Sequence, residues 1–231
     1  MSKKSKISCN TRSLVGSHML KWVSGGYLDF TTKNYTNWFK ARSKWNFMLT
    51  LEIELDQKQK LEQKKNMFIS TLHMPCAFKE LDQSIMITSA ALALEHIQKI
   101  SGTNPYVLAG DFNIRPGTNL YDIITTGIYQ GDHIINDYPP EDTWRPNNIG
   151  LKPMRSALKE LYGVEPKWTN YCINSRFENA EPFKDTLDYI LISDQFKVIN
   201  AFCKADTDII CPNDKESSDH VLIWSDLELI N

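Results

Sequence analysis

The chain has 231 residues, of which 26 are basic and 28 are acidic, so its formal net charge is −2. This balance excludes a strongly basic protein that coats nucleic acid, although it is compatible with a local cationic groove. With 42% hydrophobic and 23% charged residues, the composition also excludes wholesale disorder, and the length suffices for one domain with a sizeable core.

The cysteines and the amino terminus indicate a protein of a reducing compartment. Five cysteines are scattered without a CxxC or other metal-finger spacing, which favours reduced thiols. The start, MSKKSKISCNTRS, is basic but lacks the apolar segment that follows in a secretory signal. No apolar run approaches the ~18 residues that a transmembrane helix needs. We therefore expect cytoplasmic or nuclear localisation and no membrane partner.

Clear periodicity begins at Phe47, after a polar lead-in at residues 1–26. We take residues 27–231 as the domain. Residues 47–55 alternate apolar and polar side chains, which predicts a strand with one solvated face. The run DQKQKLEQKK that follows is most simply a solvated connection, and a contact to nucleic acid is the alternative.

Strands and helices alternate along the rest of the chain. Strands are predicted at 66–73, 106–110, 186–193 and 220–229, and helices at 81–100, 119–126 and 153–161. Thr118 caps the second of these helices and Gly127 ends it, whereas Pro153 opens the third. Because the order lacks strict βαβ regularity, we predict an α/β or α+β class with mixed sheets.

Polar side chains stand at the ends of the strand-like segments. They are His73 after MFISTL, Asp111 and Asn113 after YVLAG, Asp188 within TLDYILIS, and Asp219 with His220 before VLIW. Each alone has an ordinary explanation, since Asp and Asn cap turns and a single histidine is commonly a satisfied or surface residue. Together they predict a shared site at one sheet edge. On an extended strand end, Asp111 and Asn113 would point to the same side.

These segments resemble the motifs of a known superfamily. In chain order, STLHM, AGDFN, TLDYI and SSDHV resemble the endonuclease/exonuclease/phosphatase superfamily over residues 45–231. The segments SA, EP and WTNY together with Phe183 are similar to the deadenylase and 2′-phosphodiesterase branch, which includes nocturnin and the Angel proteins. The PxWCDRI signature of the inositol-phosphate 5-phosphatases is absent. The resemblance implies a four-layer α/β/β/α sandwich with two mixed sheets.

The resemblance also implies catalytic roles for four residues. Asp111 would orient or deprotonate the attacking water, and Asn113 would donate hydrogen bonds to the phosphate oxygens. His220 would stabilise the transition state or shuttle a proton. Asp188 would fix the tautomer and orientation of that imidazole. These roles match what hydrolysis of a phosphodiester by water requires.

Further residues are assigned to metal and substrate by the same resemblance. Asp219 would be the carboxylate on the metal side, with Asp111 as a second ligand, and hard oxygen ligands of this kind suit Mg²⁺ or Mn²⁺. His73 would contact the phosphate. Phe183 matches an aromatic side chain that stacks on a substrate base, and packing in the core is its alternative role.

The amino-terminal part of the family pattern is not found. A strand ending in asparagine and a second strand with a QE motif, whose Glu is the principal metal ligand, do not occur before Phe47. Asn10 is a weak match for the asparagine, and Asp29 is the one acidic residue in that stretch. We therefore expect an N-terminally incomplete domain with impaired metal binding, and a missing segment or a partner chain as its complement.

The predicted function is a metal-dependent phosphodiesterase or nuclease that hydrolyses RNA 3′ ends, with oligoadenylate as a representative substrate. A small-molecule or lipid-headgroup phosphodiesterase or phosphatase of the same fold is an alternative. A catalytically silent binding module is the alternative outside the enzymes. The motif residues listed above favour an enzyme, whereas the missing Glu favours the silent module.

Overall fold

The computed structural model describes residues 17–19, 47–55, 65–76, 83–130, 146–147, 149–173, 180–205 and 209–230. The stretch searched for the asparagine strand and the QE motif, apart from residues 17–19, lies outside them, as does the polar connection at 56–64. The strands are β1 (Ser17–Met19), β2 (Phe47–Leu55), β3 (Lys65–His73), β4 (Tyr106–Asp111), β5 (Arg155–Ser156), β6 (Asn170–Cys172), β7 (Phe183–Asp185), β8 (Asp188–Ile192), β9 (Phe196–Cys203) and β10 (Ile223–Leu229). The helices are α1 (Gln83–Ser101), α2 (Asn119–Thr126) and α3 (Ala157–Tyr162).

A six-stranded mixed sheet forms the centre of the fold. Its strand order is β1-β2-β3-β4-β8-β5, in which β3 and β4 are parallel and all other neighbours are antiparallel. The pairs β9–β10 and β6–β7 form two small antiparallel sheets. The predicted α/β class is confirmed. The resemblance implied two mixed sheets, and the described residues form one mixed sheet.

The alternation of side chains along the strands gives the central sheet two apolar faces. On one face, Leu108 of β4 and Leu191 of β8 pack in a buried cluster with α1 and α2. On the other face, Val107 and Ile192 pack in a second cluster with β9 and β10. The central sheet therefore lies between a helical layer and the β9–β10 sheet. No helix in the described part of the chain is long and apolar enough to cross a membrane.

The helix ends follow the sequence in one case and depart from it in another. Helix α2 has the predicted caps, because the Thr118 side chain accepts a bond from the backbone N–H of Tyr121 and Gly127 adopts a left-handed conformation. Helix α3, however, begins at Ala157, so the prediction that Pro153 opens it is wrong. Arg155 and Ser156 instead pair with β8 as strand β5, and the Ser156 hydroxyl then caps the helix.

Strand β2 is present at the predicted residues, but its buried and exposed faces differ from the prediction. Met48, on the face predicted to be solvated, is buried in the cluster with the helices. Leu49 and Leu51 are 42% and 41% exposed. Their register partners are Thr71 and Ile69 of β3, so they share the face on which β9 and β10 pack further along the sheet. Alternation predicted the strand correctly, but not which face is covered.

Gly110 permits the close approach of β4 to β3. Its φ is +142°, and a Cβ atom there would lie 2.0 Å from the backbone oxygen of Leu72. A rigid backbone oxygen cannot move aside as a flexible side chain would. We expect Gly110→Ala to lower the free energy of unfolding by about 3 kcal/mol, because strain and a backbone clash combine.

Urea unfolding of the two variants Gly110→Ala and Gly102→Ala tests this constraint. Gly102 also has a positive φ, +59°, but nothing lies within 4 Å of its added Cβ. Gly102→Ala should therefore cost only the backbone strain, about 1 kcal/mol. Equal losses in the two variants would contradict a steric role for Gly110.

Candidate active site

The register of the central sheet brings three of the predicted site residues together. In the parallel pair β3–β4, His73 lies opposite Asp111, and each residue is the last of its strand. In the antiparallel pair β4–β8, Asp111 lies opposite Asp188, the first residue of β8. The three side chains are thus neighbours at one edge of the sheet, as expected when strand ends meet.

His220 completes the cluster from the segment before β10. Its Nδ1 lies 2.7 Å from Oδ2 of Asp188. Its Nε2 lies 3.8 Å from Oδ2 of Asp111 and 4.0 Å from Oδ2 of Asp219. His73 approaches from the other side, with Nε2 3.3 Å from the same Asp111 oxygen. One carboxylate oxygen therefore lies between two imidazoles.

Asn113 reaches the cluster through a turn. Its φ is +52°, a left-handed conformation that asparagine tolerates better than most residues. Its backbone N–H donates to Oδ1 of Asp111 at 2.8 Å, and its Nδ2 donates to the carbonyl of Met74 at 2.9 Å. The prediction of an extended strand end at Asn113 is wrong, since β4 ends at Asp111. Asn113 forms a turn and also belongs to the site, because the turn directs the side chains of Asp111 and Asn113 to the same edge of the sheet.

Residues 169–171, which in the sequence only supported the family resemblance, connect the parts of the site. Asn170 is buried and donates from Nδ2 to Oδ2 of Asp219 at 3.2 Å. It also forms a β-bridge with His220. The Thr169 hydroxyl accepts the backbone N–H groups of Leu187 and Asp188 at 2.9 and 3.0 Å. The resemblance of the TNY segment drew attention to Asn170, but it implied no role for this residue.

The hydrogen bond to Asp188 determines the protonation of His220. A carboxylate oxygen accepts only, so Nδ1 carries the proton in this bond and Nε2 faces the centre of the site. The bond to Asp188 raises the pKa of His220, burial opposes this, and the charges of Asp188, Asp111 and Asp219 add to the increase. The imidazolium form thus persists to a higher pH than in an exposed histidine.

The carboxyl group of Asp111 is perturbed in the direction that suits a base. Burial raises its pKa, and the charge of Asp188 raises it further. The backbone N–H of Asn113 and the two histidines act in the opposite direction. A carboxylate with a raised pKa accepts a proton from water more readily than an exposed aspartate does.

Phe183 lies on β7, which pairs with the strand that carries Asn170. Its ring is half-buried and belongs to neither of the two buried apolar clusters. The guanidinium carbon of Arg115 lies 5.1 Å from the ring centroid. The adjoining backbone is tied to the site, because the carbonyl of Asp185 accepts the N–H of Thr169 at 3.0 Å. These contacts favour a partly open ring over a core residue, and stacking on a base stays a prediction.

The oxygen donors at this edge fit a hard cation in chemical type. Asp111 and Asp219 present carboxylate oxygens to the same side of His220. Mg²⁺ is commonly held by one or two protein carboxylates, with water and substrate phosphate completing its shell. Within the described ranges, no group of three or more His, Cys, Asp or Glu side chains is arranged to hold a metal ion. The two carboxylates are thus of the chemical type that suits Mg²⁺ or Mn²⁺, and metal binding stays a prediction.

Comparisons with curated proteins found two informative relatives. The exoribonuclease subunit Ccr4 of the Candida glabrata CCR4-Not complex is 24% identical over 219 residues, 86% of this chain and 22% of that protein. Bovine 2′,5′-phosphodiesterase 12 is 28% identical over 154 residues, 62% of this chain and 23% of that protein. The chain thus spans less than a quarter of the length of either relative. No model of a known protein family matches it.

Solved structures share the fold at low sequence identity. ANGEL2, a 2′,3′-cyclic phosphatase solved with adenosine-2′,3′-vanadate, aligns with a TM-score of 0.57 and 18% identity over 82% of this chain and 63% of its own. The human Nocturnin catalytic domain aligns with a TM-score of 0.51 and 18% identity over 80% of this chain and 54% of its own. The chain therefore has the endonuclease/exonuclease/phosphatase fold, and the predicted resemblance to the nocturnin and Angel branch is confirmed at the level of the fold.

Replacing Asp188 with Asn tests the pair that orients His220. In the metal-free protein we expect the pKa of His220 to fall toward its usual value of about 6.5, because a neutral amide stabilises the imidazolium less. A raised folded-state pKa stabilises the fold fully below the unfolded-state value, and this contribution is lost as the pH rises through the folded-state value. The difference in the free energy of unfolding between wild type and variant should therefore shrink as the pH rises from the unfolded-state pKa of His220 through its folded-state pKa.

An NMR titration of the imidazole measures the pKa, and urea unfolding across the same pH range measures the stability. Asp194→Asn, at an exposed aspartate of the turn before β9, is the matched control. An unchanged His220 pKa in Asp188→Asn would show that the hydrogen bond does not set its protonation.

Proposed function

We propose that this chain forms the catalytic part of a phosphodiesterase that hydrolyses RNA at its 3′ end with water, in the manner of a deadenylase. The observation that carries the proposal is the position of His220, which bonds Asp188 through Nδ1 and turns Nε2 toward Asp111 and Asp219. This arrangement offers a base, a proton donor and metal-binding oxygens at one sheet edge.

The relatives support this class of reaction. Ccr4 is named as a 3′-5′ exoribonuclease, the bovine relative as a 2′,5′-phosphodiesterase, and ANGEL2 as a 2′,3′-cyclic phosphatase. All three names describe cleavage of phosphate esters. The name of Ccr4 and the adenosine-2′,3′-vanadate bound to ANGEL2 point to nucleotide substrates. RNA is therefore the substrate class that we propose for the present chain.

The proposed reaction begins with a water held by Asp111. As the water oxygen forms its bond to phosphorus, Asp111 accepts the water proton and the bond from phosphorus to the leaving 3′ oxygen breaks. The protonated Nε2 of His220 gives its proton to that oxygen, and exchange with solvent restores both groups. Asp188 keeps Nδ1 protonated throughout, so Nε2 is the nitrogen that acts.

Asn113 and His73 are proposed to bind the non-bridging phosphate oxygens. One Nδ2 hydrogen of Asn113 is bonded to the Met74 carbonyl, whereas the contact of Nδ2 with Asp111 Oδ2 is long, at 3.4 Å. The second hydrogen can therefore turn to a phosphate oxygen at small cost. The His73 side chain is 74% exposed, which leaves it accessible to a bound substrate.

Dependence on Mg²⁺ or Mn²⁺ is part of the proposal, with Asp111 and Asp219 as ligands. The bound cation would neutralise charge that develops on the phosphate. Because no group of three or more His, Cys, Asp or Glu side chains in the described ranges is arranged to hold a metal ion, we expect weak binding and activity that needs millimolar metal. A further acidic ligand, from another part of the protein or from a partner chain, would strengthen it.

The position of Phe183 beside the site supports recognition of a base. Stacking of a base on an aromatic ring is worth about 1–3 kcal/mol and tolerates any base. A cytoplasmic or nuclear location is part of the proposal, because the scattered spacing of the five cysteines favours reduced thiols. A diester of a small molecule or a lipid headgroup presents no base, so the choice of substrate separates this alternative from the nuclease.

Asp111→Asn should lower the hydrolysis of a labelled oligoadenylate by about a hundredfold or more at millimolar Mg²⁺, since the amide cannot accept the water proton. Gel analysis of the shortened products measures the rate. Asp226→Asn, an exposed aspartate on β10, is the matched control and should retain full activity.

Three outcomes would contradict the proposed function. Activity of Asp111→Asn equal to wild type would remove the proposed base. Cleavage of a phosphocholine diester faster than oligoadenylate would favour the lipid-headgroup alternative. Binding of oligoadenylate without any cleavage by wild type, at any metal concentration, would favour the silent binding module.

A further inference from the structure

The candidate site has an electrostatic difficulty with the proposed substrate. Asp111, Asp188 and Asp219 gather around His220, so the centre carries several negative charges. RNA brings one further negative charge with each phosphate. A second phosphate next to the one that is cleaved therefore needs a cation close to the site.

Arg115 supplies a permanent cation on the same loop as Asn113. Its Nε lies 3.2 Å from Oδ2 of Asp185, and its guanidinium carbon lies 5.1 Å from the centroid of the Phe183 ring. Its own carbonyl accepts a hydrogen bond from the Thr118 hydroxyl at 2.8 Å, which fixes the loop backbone. The guanidinium is therefore oriented from two directions, by a carboxylate and by an aromatic ring.

Asp185 is itself held in place, and its Oδ2 lies next to the Nε of the guanidinium. Its Oδ1 accepts the backbone N–H of Thr186 at 2.9 Å, and its carbonyl accepts that of Thr169 at 3.0 Å. Within the described ranges no acceptor is bonded to either Nη of Arg115, and the side chain is 55% exposed. The exposed part of the guanidinium is thus accessible to an anion from solvent, as far as the described residues show.

The charges of Arg115 and Asp111 both act on one nearby thiol. Burial raises the pKa of Cys76, the charge of Asp111 raises it further, and the charge of Arg115 lowers it. The cation therefore lies within electrostatic range of a group that also senses the proposed base. The geometry supports the same placement, because Asp185, the partner of Arg115, lies opposite Asn170 in the β6–β7 pair, and Asn170 donates to Asp219.

We propose that Arg115 determines substrate specificity by binding the phosphate that flanks the scissile one, so that the site prefers an oligonucleotide to an isolated phosphodiester. This role rests on the proposed function of the same site. A planar guanidinium donates two parallel hydrogen bonds to phosphate, which a lysine cannot reproduce. The pair with Asp185 holds the guanidinium in that orientation before the substrate arrives.

Two dinucleotides that differ by a single phosphate test the role directly. They are an adenosine dinucleotide with a non-hydrolysable methylenephosphonate linkage and the same compound with an added terminal phosphate, prepared separately at the 5′ and the 3′ end. Competition against a fluorescent oligoadenylate of the same linkage gives their dissociation constants at millimolar Mg²⁺, without any need for catalysis.

Wild type should bind one of the phosphorylated compounds about tenfold more tightly than the parent dinucleotide, which is the expected effect of a hydrogen-bonded charge pair. Arg115→Ala should abolish this preference and leave binding of the parent nearly unchanged, whereas Arg115→Lys should retain part of it. The half-exposed pair with Asp185 contributes little to folding, so both variants should show wild-type thermal unfolding.

Lys184→Ala is the matched control. Lys184 is a neighbour of Phe183 and Asp185 on β7, and its Nζ lies 4.6 Å from the centroid of the Tyr171 ring. Side chains alternate along a strand, so this cation occupies the other side of β7. Its removal should leave the preference for the added phosphate intact.

Three results would overturn the role of Arg115. They are an absent preference in wild type, a preference retained in Arg115→Ala, and an equal loss in Lys184→Ala, which would reveal general charge attraction. Failure of the proposed function is a separate result. If wild type shows the Arg115-dependent preference but never cleaves oligoadenylate, the hydrolytic function fails and the phosphate-binding role stands.

Discussion

The candidate site depends on the register of three adjacent strands in the central sheet. The parallel pairing of β3 with β4 brings His73 to Asp111, and the antiparallel pairing of β4 with β8 brings Asp188 to the same point. A shift by one residue would turn these side chains to the opposite face. Gly110 maintains the close approach of the strands immediately before Asp111, because a Cβ would meet the Leu72 backbone. Packing and the geometry of the candidate site are therefore specified by the same backbone contacts.

The remaining part of the site comes from irregular segments and is fixed by hydrogen bonds. Thr169 and Asn170 connect the start of β8 to the segment that carries Asp219 and His220, through both backbone and side-chain bonds. The buried hydroxyl of Tyr189 donates to the carbonyl of Ile114 at 2.6 Å, which ties the turn after β4 to β8. Polar groups thus hold these irregular segments in place, and in the turn after β4 they act together with the apolar packing of Phe112 and Ile114.

The site residues that lie at the end of a strand with a clear apolar pattern could be predicted from the sequence. The segments ending at His73 and Asp111 and the strand that begins at Asp188 could be found from apolar runs, so their meeting at one edge was predictable. Long-range register and local turn geometry could not be found in this way. The left-handed conformation of Asn113 and the pairing that delays α3 past Pro153 both depend on contacts with residues distant in sequence. Asn170 was overlooked because its role exists only next to Asp219.

Hydrolysis of an oligoadenylate in water enriched in ¹⁸O tests the central claim most directly, namely that this edge of the sheet activates water for attack on phosphorus. Mass spectrometry of the released nucleotide and of the shortened oligonucleotide locates the label. Attack of water on phosphorus should place ¹⁸O in the phosphate and none in the newly formed 3′ hydroxyl, and Asp111→Asn should lose this incorporation. Label in the 3′ hydroxyl, cleavage that leaves the phosphate unlabelled, or label incorporation that persists in Asp111→Asn would contradict this claim.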